Sequence, residues 1–203
     1  RGVSILVSLL IVPMTLNYVS SEVYGIWLTL SSVMLWLNFF DVGFTLGLKN
    51  KLAEAIALDN WDKGRKFVST TYFMMFVIFI PLCFLLETLI PFFKWNSFLN
   101  VSAIYESDIQ RTLIILVACF CFQMIFNVLT SVVAAFQKVA LSSAFPVIGN
   151  FISLIIVFIL TKTCEPSLLV LALAISLPPI VVALVASFIL FSTKFKKVKP
   201  SIK

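Results

Sequence analysis

The side chains able to do chemistry in this chain are few, and they sit in apolar surroundings. Asp41 lies in Phe39-Phe40-Asp41-Val42-Gly43, at or inside the end of an uncharged run. An acid at that depth is costly unless it is paired, protonated or hydrated. It reads as a proton or cation site, as a conformational latch to a basic group, or as an acid reaching the headgroups. Just beyond it stand Lys49, Asn50 and Lys51, followed by Lys63, Arg65 and Lys66. This basic cluster suits recruitment of an anionic head group, and it equally suits contact with ordinary anionic lipid. Arg1 is a further cavity candidate if its helix extends upstream. Gln123 and Asn127 are spaced to share one helical face, and so are Asn150 and Ser153. Polar groups of this kind either bond helix to helix or line a hydrophilic path.

Other chemistries are poorly supplied. The chain has no His, so it offers no Ser-His-Asp triad, Cys-His dyad or His-based zinc site. Cys83, Cys119 and Cys121 lie in apolar runs, where Cys acts as a small hydrophobe. There is no CxxC pair, no phosphate-binding P-loop and no GxGxxG. No catalytic residue, metal, cofactor or nucleic-acid partner is expected.

These side chains must be positioned by membrane helices. Six uncharged runs cover Gly2–Ser21, Val23–Phe40, Phe67–Leu86, Thr112–Gln137, Val139–Thr161 and Pro166–Thr193. A span needs roughly 20 apolar residues to cross a hydrocarbon core about 30 Å thick. Apolar residues make up 61% of the chain and charged residues 12%, against about 25% charged in a typical soluble domain. The runs are continuous and do not alternate, which favours helices over a barrel. The expected fold is all-α: a polytopic membrane bundle of six transmembrane helices, spanning about 2–20, 23–47, 67–92, 110–136, 139–161 and 166–193. Membrane lipids are its expected surroundings.

Charge orients the spans. Arg1, the Lys49–Lys66 connection, Lys138 and the tail from Lys194 place twelve basic residues on one side, and Lys94, Arg111 and Lys162 place three on the other. The positive-inside rule then puts both ends of the chain in the cytoplasm. The Lys49–Lys66 connection is amphipathic, with Leu52, Ala53, Ile56 and Ala57 at helical spacing, and the second helix is expected to run on or bend onto the surface there. Pro13, Pro81, Pro146 and Pro178-Pro179 fall within four runs and are expected to kink them. Gly43 and Gly47 form a small-xxx-small pair that would let another helix approach.

One stretch is more specific. Leu16-Asn17-Tyr18-Val19, Tyr24-Gly25-Ile26-Trp27-Leu28-Thr29-Leu30-Ser31-Ser32, Phe40-Asp41-Val42-Gly43 and Gly47-Leu48-Lys49-Asn50-Lys51-Leu52-Ala53-Glu54-Ala55 resemble, in order and spacing, the Wzx-like O-antigen and polysaccharide flippases. These belong to the multidrug/oligosaccharidyl-lipid/polysaccharide exporter superfamily. The resemblance covers roughly residues 5–72; from residue 110 onward only the helix pattern agrees. It departs at Lys49, where the family often has Arg, and at Thr45-Leu46, where it often has Gly-Asn. Lys keeps the charge but loses the bidentate geometry that suits a phosphate.

The resemblance implies an exporter-type N-terminal bundle, the first half of a longer protein whose C-terminal half lies outside this fragment. It implies a bacterial inner (plasma) membrane protein that moves a polyprenyl-pyrophosphate-linked oligosaccharide by alternating access, for O-antigen, lipopolysaccharide or other surface polysaccharide biosynthesis. Glycosyltransferases and a polymerase of that pathway would be its partners. The competing expectation is a multidrug or small-cation exporter of the same superfamily.

Overall fold

The computed structural model describes residues 2–37 and 43–200. Nine α-helices account for nearly all of them, with no strand among the described residues. They are α1 (Gly2–Tyr18), α2 (Ser21–Leu37), α3 (Phe44–Ala57), α4 (Trp61–Leu89), α5 (Trp95–Leu99), α6 (Glu106–Phe126), α7 (Val128–Ala135), α8 (Val139–Thr163) and α9 (Leu168–Ser192). Short 3₁₀ turns lie at Ile90–Phe92, Ala103–Tyr105 and Lys196–Val198.

Four segments among the described residues are long and apolar enough to cross a membrane: Trp61–Phe92, Ala103–Ala135, Val139–Thr163 and Leu168–Ser192. These correspond to the last four of the six expected spans. The first two reach a coarser result. Both α1 and α2 hold 17 residues, short of the roughly 20 that a span requires. The second run continues into residues outside the described set.

Local chemistry sets several helix ends. The Asn60 carboxamide oxygen accepts from the Lys63 amide at 3.1 Å and starts α4, and Ser167 caps α9 in the same way. Such caps satisfy amides that have no partner within the helix. The amides of Trp95 and Asn96 open α5 by donating to the Glu106 carboxylate, which also accepts from Gln110. Gly43, at φ 73°, precedes α3. That left-handed backbone is easy for glycine and costly for most residues, so α3 starts as a separate amphipathic helix that buries Leu48, Leu52 and Ala55. The prolines do not end their helices: α1, α4, α8 and α9 each continue through them.

The buried core centres on α6. This helix packs against α4 and α9, while α9 packs in turn against α8, and α1 lies on α8. The short α3 sits on α4 and α7. Buried Ile109, Leu113, Met124 and Ile125 of α6 anchor this arrangement. Large apolar side chains also cover the outside: Phe73, Phe76 and Phe84 on α4, and Phe151, Ile155 and Phe158 on α8. Continuous exposed apolar surface is unfavourable in water and expected of helices facing lipid.

The two ends of the bundle differ in chemistry. At one end Trp61 stacks on Phe136 with centroids 6.4 Å apart, and Phe136 meets Phe195 at 4.5 Å. Lys197 lies 4.3 Å over the Trp61 ring and Lys138 lies 5.7 Å over Phe195. Three of the connections assigned by charge to one side thus gather at one end. At the far end of α8, the Tyr18 hydroxyl donates to the Glu165 carbonyl at 2.8 Å.

Candidate functional site

Three helices form the polar recess of interest. Lys49 of α3, Asn127 at the α6–α7 junction, Thr130 and Ser131 of α7, and Ser142 and Ser143 of α8 line a cavity of about 440 Å³. The amphipathic α3 buries Leu48 and Leu52 and so turns the adjacent Lys49 outward into the recess. Among the described residues Lys49 has no acidic partner; the one ion pair there is Lys51 with Glu54, at 3.4 Å.

The hydrogen-bonding capacity of the recess follows from its local bonds. The Thr130 hydroxyl donates to the Asn127 carbonyl at 2.6 Å. Those of Ser142 and Ser143 each donate to the Val139 carbonyl at 2.9 Å. With their protons so used, all three oxygens keep acceptor capacity. Pro146 also lines the recess and has no N–H to give the carbonyl four residues before it, that of Ser142. Donors include the Lys49 ammonium, the Ser131 hydroxyl and the Asn127 amide nitrogen, because the Asn127 oxygen already accepts from Gln123 at 2.9 Å. A single cation among acceptor oxygens fits a ligand with many hydroxyls and an anionic group.

Gln123 carries the polar stripe into a second recess of about 380 Å³, shared with Asn150, Ser31 and Ser176 and walled by Trp27 and Phe120. The Gln123–Asn127 bond therefore joins two hollows that lie one after the other along α6. The expected shared face is present, and the two amides bond to each other along it. Ser153 bonds between helices instead, its hydroxyl donating to the Ile175 carbonyl of α9 at 3.1 Å.

Within α3 the residues of the expected basic cluster divide between different surfaces. Lys49 faces the polar recess, but Asn50 is exposed and lines neither hollow. Lys51 points to a separate depression beside Gly47 and Phe67. Residues two apart on a helix are about 200° apart around its axis, so Lys49 and Lys51 cannot share a face. Arg1 and Asp41 lie outside the described residues. The expected close approach at Gly43 and Gly47 is not seen among the described residues: a β-carbon at either meets none of them within 4 Å. Two other glycines do admit a neighbouring helix: Gly149, opposite Pro179, and Gly64, opposite Leu52 of α3. The sequence carries a signal for Gly149 only in retrospect, as a lone glycine in one apolar run and a proline pair in the next.

No protein-family model matches the chain, and neither does any curated protein or solved structure.

Proposed function

We propose that this chain is the N-terminal bundle of a transporter that moves a polyprenyl-pyrophosphate-linked oligosaccharide across the bacterial inner membrane, for O-antigen or other surface polysaccharide biosynthesis. The reading rests on the resemblance over residues 5–72. The observation that supports it best is the recess around Lys49, in which one cation stands among acceptor oxygens. A glycan headgroup bears many hydroxyl donors next to a pyrophosphate. Without a polar path, taking those groups through hydrocarbon costs several kcal/mol for each unpaired one. A hydrated recess offers replacement partners while the lipid tail stays in the bilayer.

In this mechanism Lys49 attracts the pyrophosphate and Thr130, Ser142 and Ser143 accept from sugar hydroxyls. Gln123 and Asn127 hand the headgroup from one hollow to the next as the bundle rocks against a second one. No bond in the substrate is made or broken. Asp41 would couple the movement to an ion gradient. The basic end, with Lys63, Lys138 and Lys197, faces the cytoplasm, following the positive-inside rule.

Depleting the protein in its native cell tests the reading. The expected result is loss of surface glycan, with lipid-linked oligosaccharide accumulating on the inner leaflet. Unchanged surface glycan together with new sensitivity to cationic dyes would refute it in favour of drug or small-cation export.

A further inference from the structure

We propose that the groove between α4, α6 and α9 at the basic end is a binding site for an anionic glycerophospholipid of that leaflet, separate from the recess around Lys49. Its volume is about 230 Å³. Phe126 of α6 with Leu184 and Phe188 of α9 form its apolar wall, and Tyr72 of α4 and Ser187 of α9 enter it. Lys199 and Pro200 of the tail form its rim.

Three observations converge on this ligand. The first is an unmet donor. The Tyr72 hydroxyl is buried and has no hydrogen-bond partner. Ser187 stands near it and gives its own proton to the Ala183 carbonyl at 2.8 Å, so the serine oxygen is a nearby acceptor, but the two hydroxyls do not form a well-aligned hydrogen bond. A buried hydroxyl left unpaired is costly, and a lipid ester carbonyl would relieve it.

The second is depth. The charged residues at the start of α4 end at Lys66, and the apolar run starts at Phe67. Tyr72 is five residues further on, roughly 8 Å along a helix axis. With Phe67 at the edge of the hydrocarbon, the Tyr72 backbone lies below the glycerol and ester groups, and a side chain tilted toward the helix N-terminus carries its hydroxyl back toward them.

The third is charge. Lys199 is exposed, and Lys194, Lys196 and Lys197 share its tail. The tail is held in place: Phe195 is buried against Phe136, Val198 is buried, and Val198 lies within 3.5 Å of a β-carbon built on Gly64. The cation at the rim is therefore fixed above the groove, where a lipid phosphate would sit. One acyl chain then lies along Phe126, Leu184 and Phe188. Phosphate, ester and chain meet cation, hydroxyl and apolar wall in the order in which they occur in a phospholipid.

The test uses the full chain in nanodiscs made from equal parts of phosphatidylglycerol and phosphatidylcholine, with retained lipid read by native mass spectrometry. The wild type is expected to keep phosphatidylglycerol over phosphatidylcholine by about fivefold, the preference that one interfacial lysine gives. Lys199→Gln should abolish the preference. Tyr72→Phe should reduce retention of both lipids while leaving the preference, because the ring and its edge contact with Phe191 (6.1 Å between centroids) remain. Leu184→Trp, which fills the groove, should reduce retention of both lipids. Equal retention of the two lipids by the wild type would overturn the proposal. So would a preference that survives Lys199→Gln, or retention unaffected by Tyr72→Phe and Leu184→Trp. Displacement of phosphatidylglycerol by an equimolar polyprenyl pyrophosphate would overturn it too, by making the groove a substrate site.

Discussion

Gly149 of α8 faces Pro179 of α9 so closely that a β-carbon on the glycine would lie 2.6 Å from the proline Cα. The obstructing atoms are backbone, so they cannot swing aside as a flexible side chain would. Gly149→Ala should therefore force α8 and α9 apart. Overpacking of this kind costs about 1–3 kcal/mol, which outweighs the gain of up to about 1 kcal/mol that alanine brings to a helix interior. Thermal unfolding in detergent is the measurement. A variant as stable as the wild type would mean that the two helices do not meet here.

The same junction holds a hydrogen bond with a traceable cause. Pro179 has no N–H, so the Ile175 carbonyl four residues earlier lacks its helical donor. The Ser153 hydroxyl supplies one from α8. Ser153→Ala should cost about 0.6 kcal/mol, as cross-helix bonds in membranes do on average. In a Pro179→Ala background the helix regains its own N–H, and the same change should cost close to nothing. Equal costs in both backgrounds, measured by a double-mutant cycle, would show that the hydroxyl is not replacing the missing amide.

Much of this architecture is legible in the sequence, and the illegible part has a physical reason. Long uncharged runs can only be helices in lipid, so α4, α6, α8 and α9 follow from composition. The i,i+4 spacing of Gln123 and Asn127 is enough to set their shared face. The pairing of Gly149 with Pro179 depends on how α8 and α9 are rotated and registered, which neither helix encodes alone. The apolar faces also look alike from lipid and from protein, so periodicity cannot tell buried Met124 from exposed Phe122. Charge counted along the chain makes Lys49 and Lys51 one patch; charge counted around the axis of α3 separates them.

That separation around α3 has a consequence for the proposed transport. Lys49→Gln should lower export of surface glycan by roughly tenfold, the scale of a lost charged hydrogen bond. Lys51→Gln and Asn50→Ala should leave export near normal, since Lys51 forms only an exposed pair with Glu54 and such pairs contribute little. Quantitative labelling of surface polysaccharide separates the three variants. An equal loss in all of them would return the role to the cluster as a whole.

Orientation is the last quantity to test, and the native cysteines are suited to it. Cys164 is exposed at the end of α8, while Cys83, Cys119 and Cys121 are buried. An impermeant thiol reagent added to intact cells should label Cys164 alone. In a Cys164→Ser background, Lys63→Cys and Lys138→Cys should stay unlabelled in intact cells and react once the cells are opened, because Lys63 and Lys138 belong to connections that meet the aromatic cluster of Trp61, Phe136 and Phe195. The replaced lysines are exposed, and each side chain adds an aromatic contact, Lys63 over Phe67 and Lys138 over Phe195, so the fold should survive either change. Labelling of Lys63→Cys from outside would invert the bundle. The recess at Lys49 would then face the wrong leaflet for the proposed function, which needs a substrate assembled in the cytoplasm.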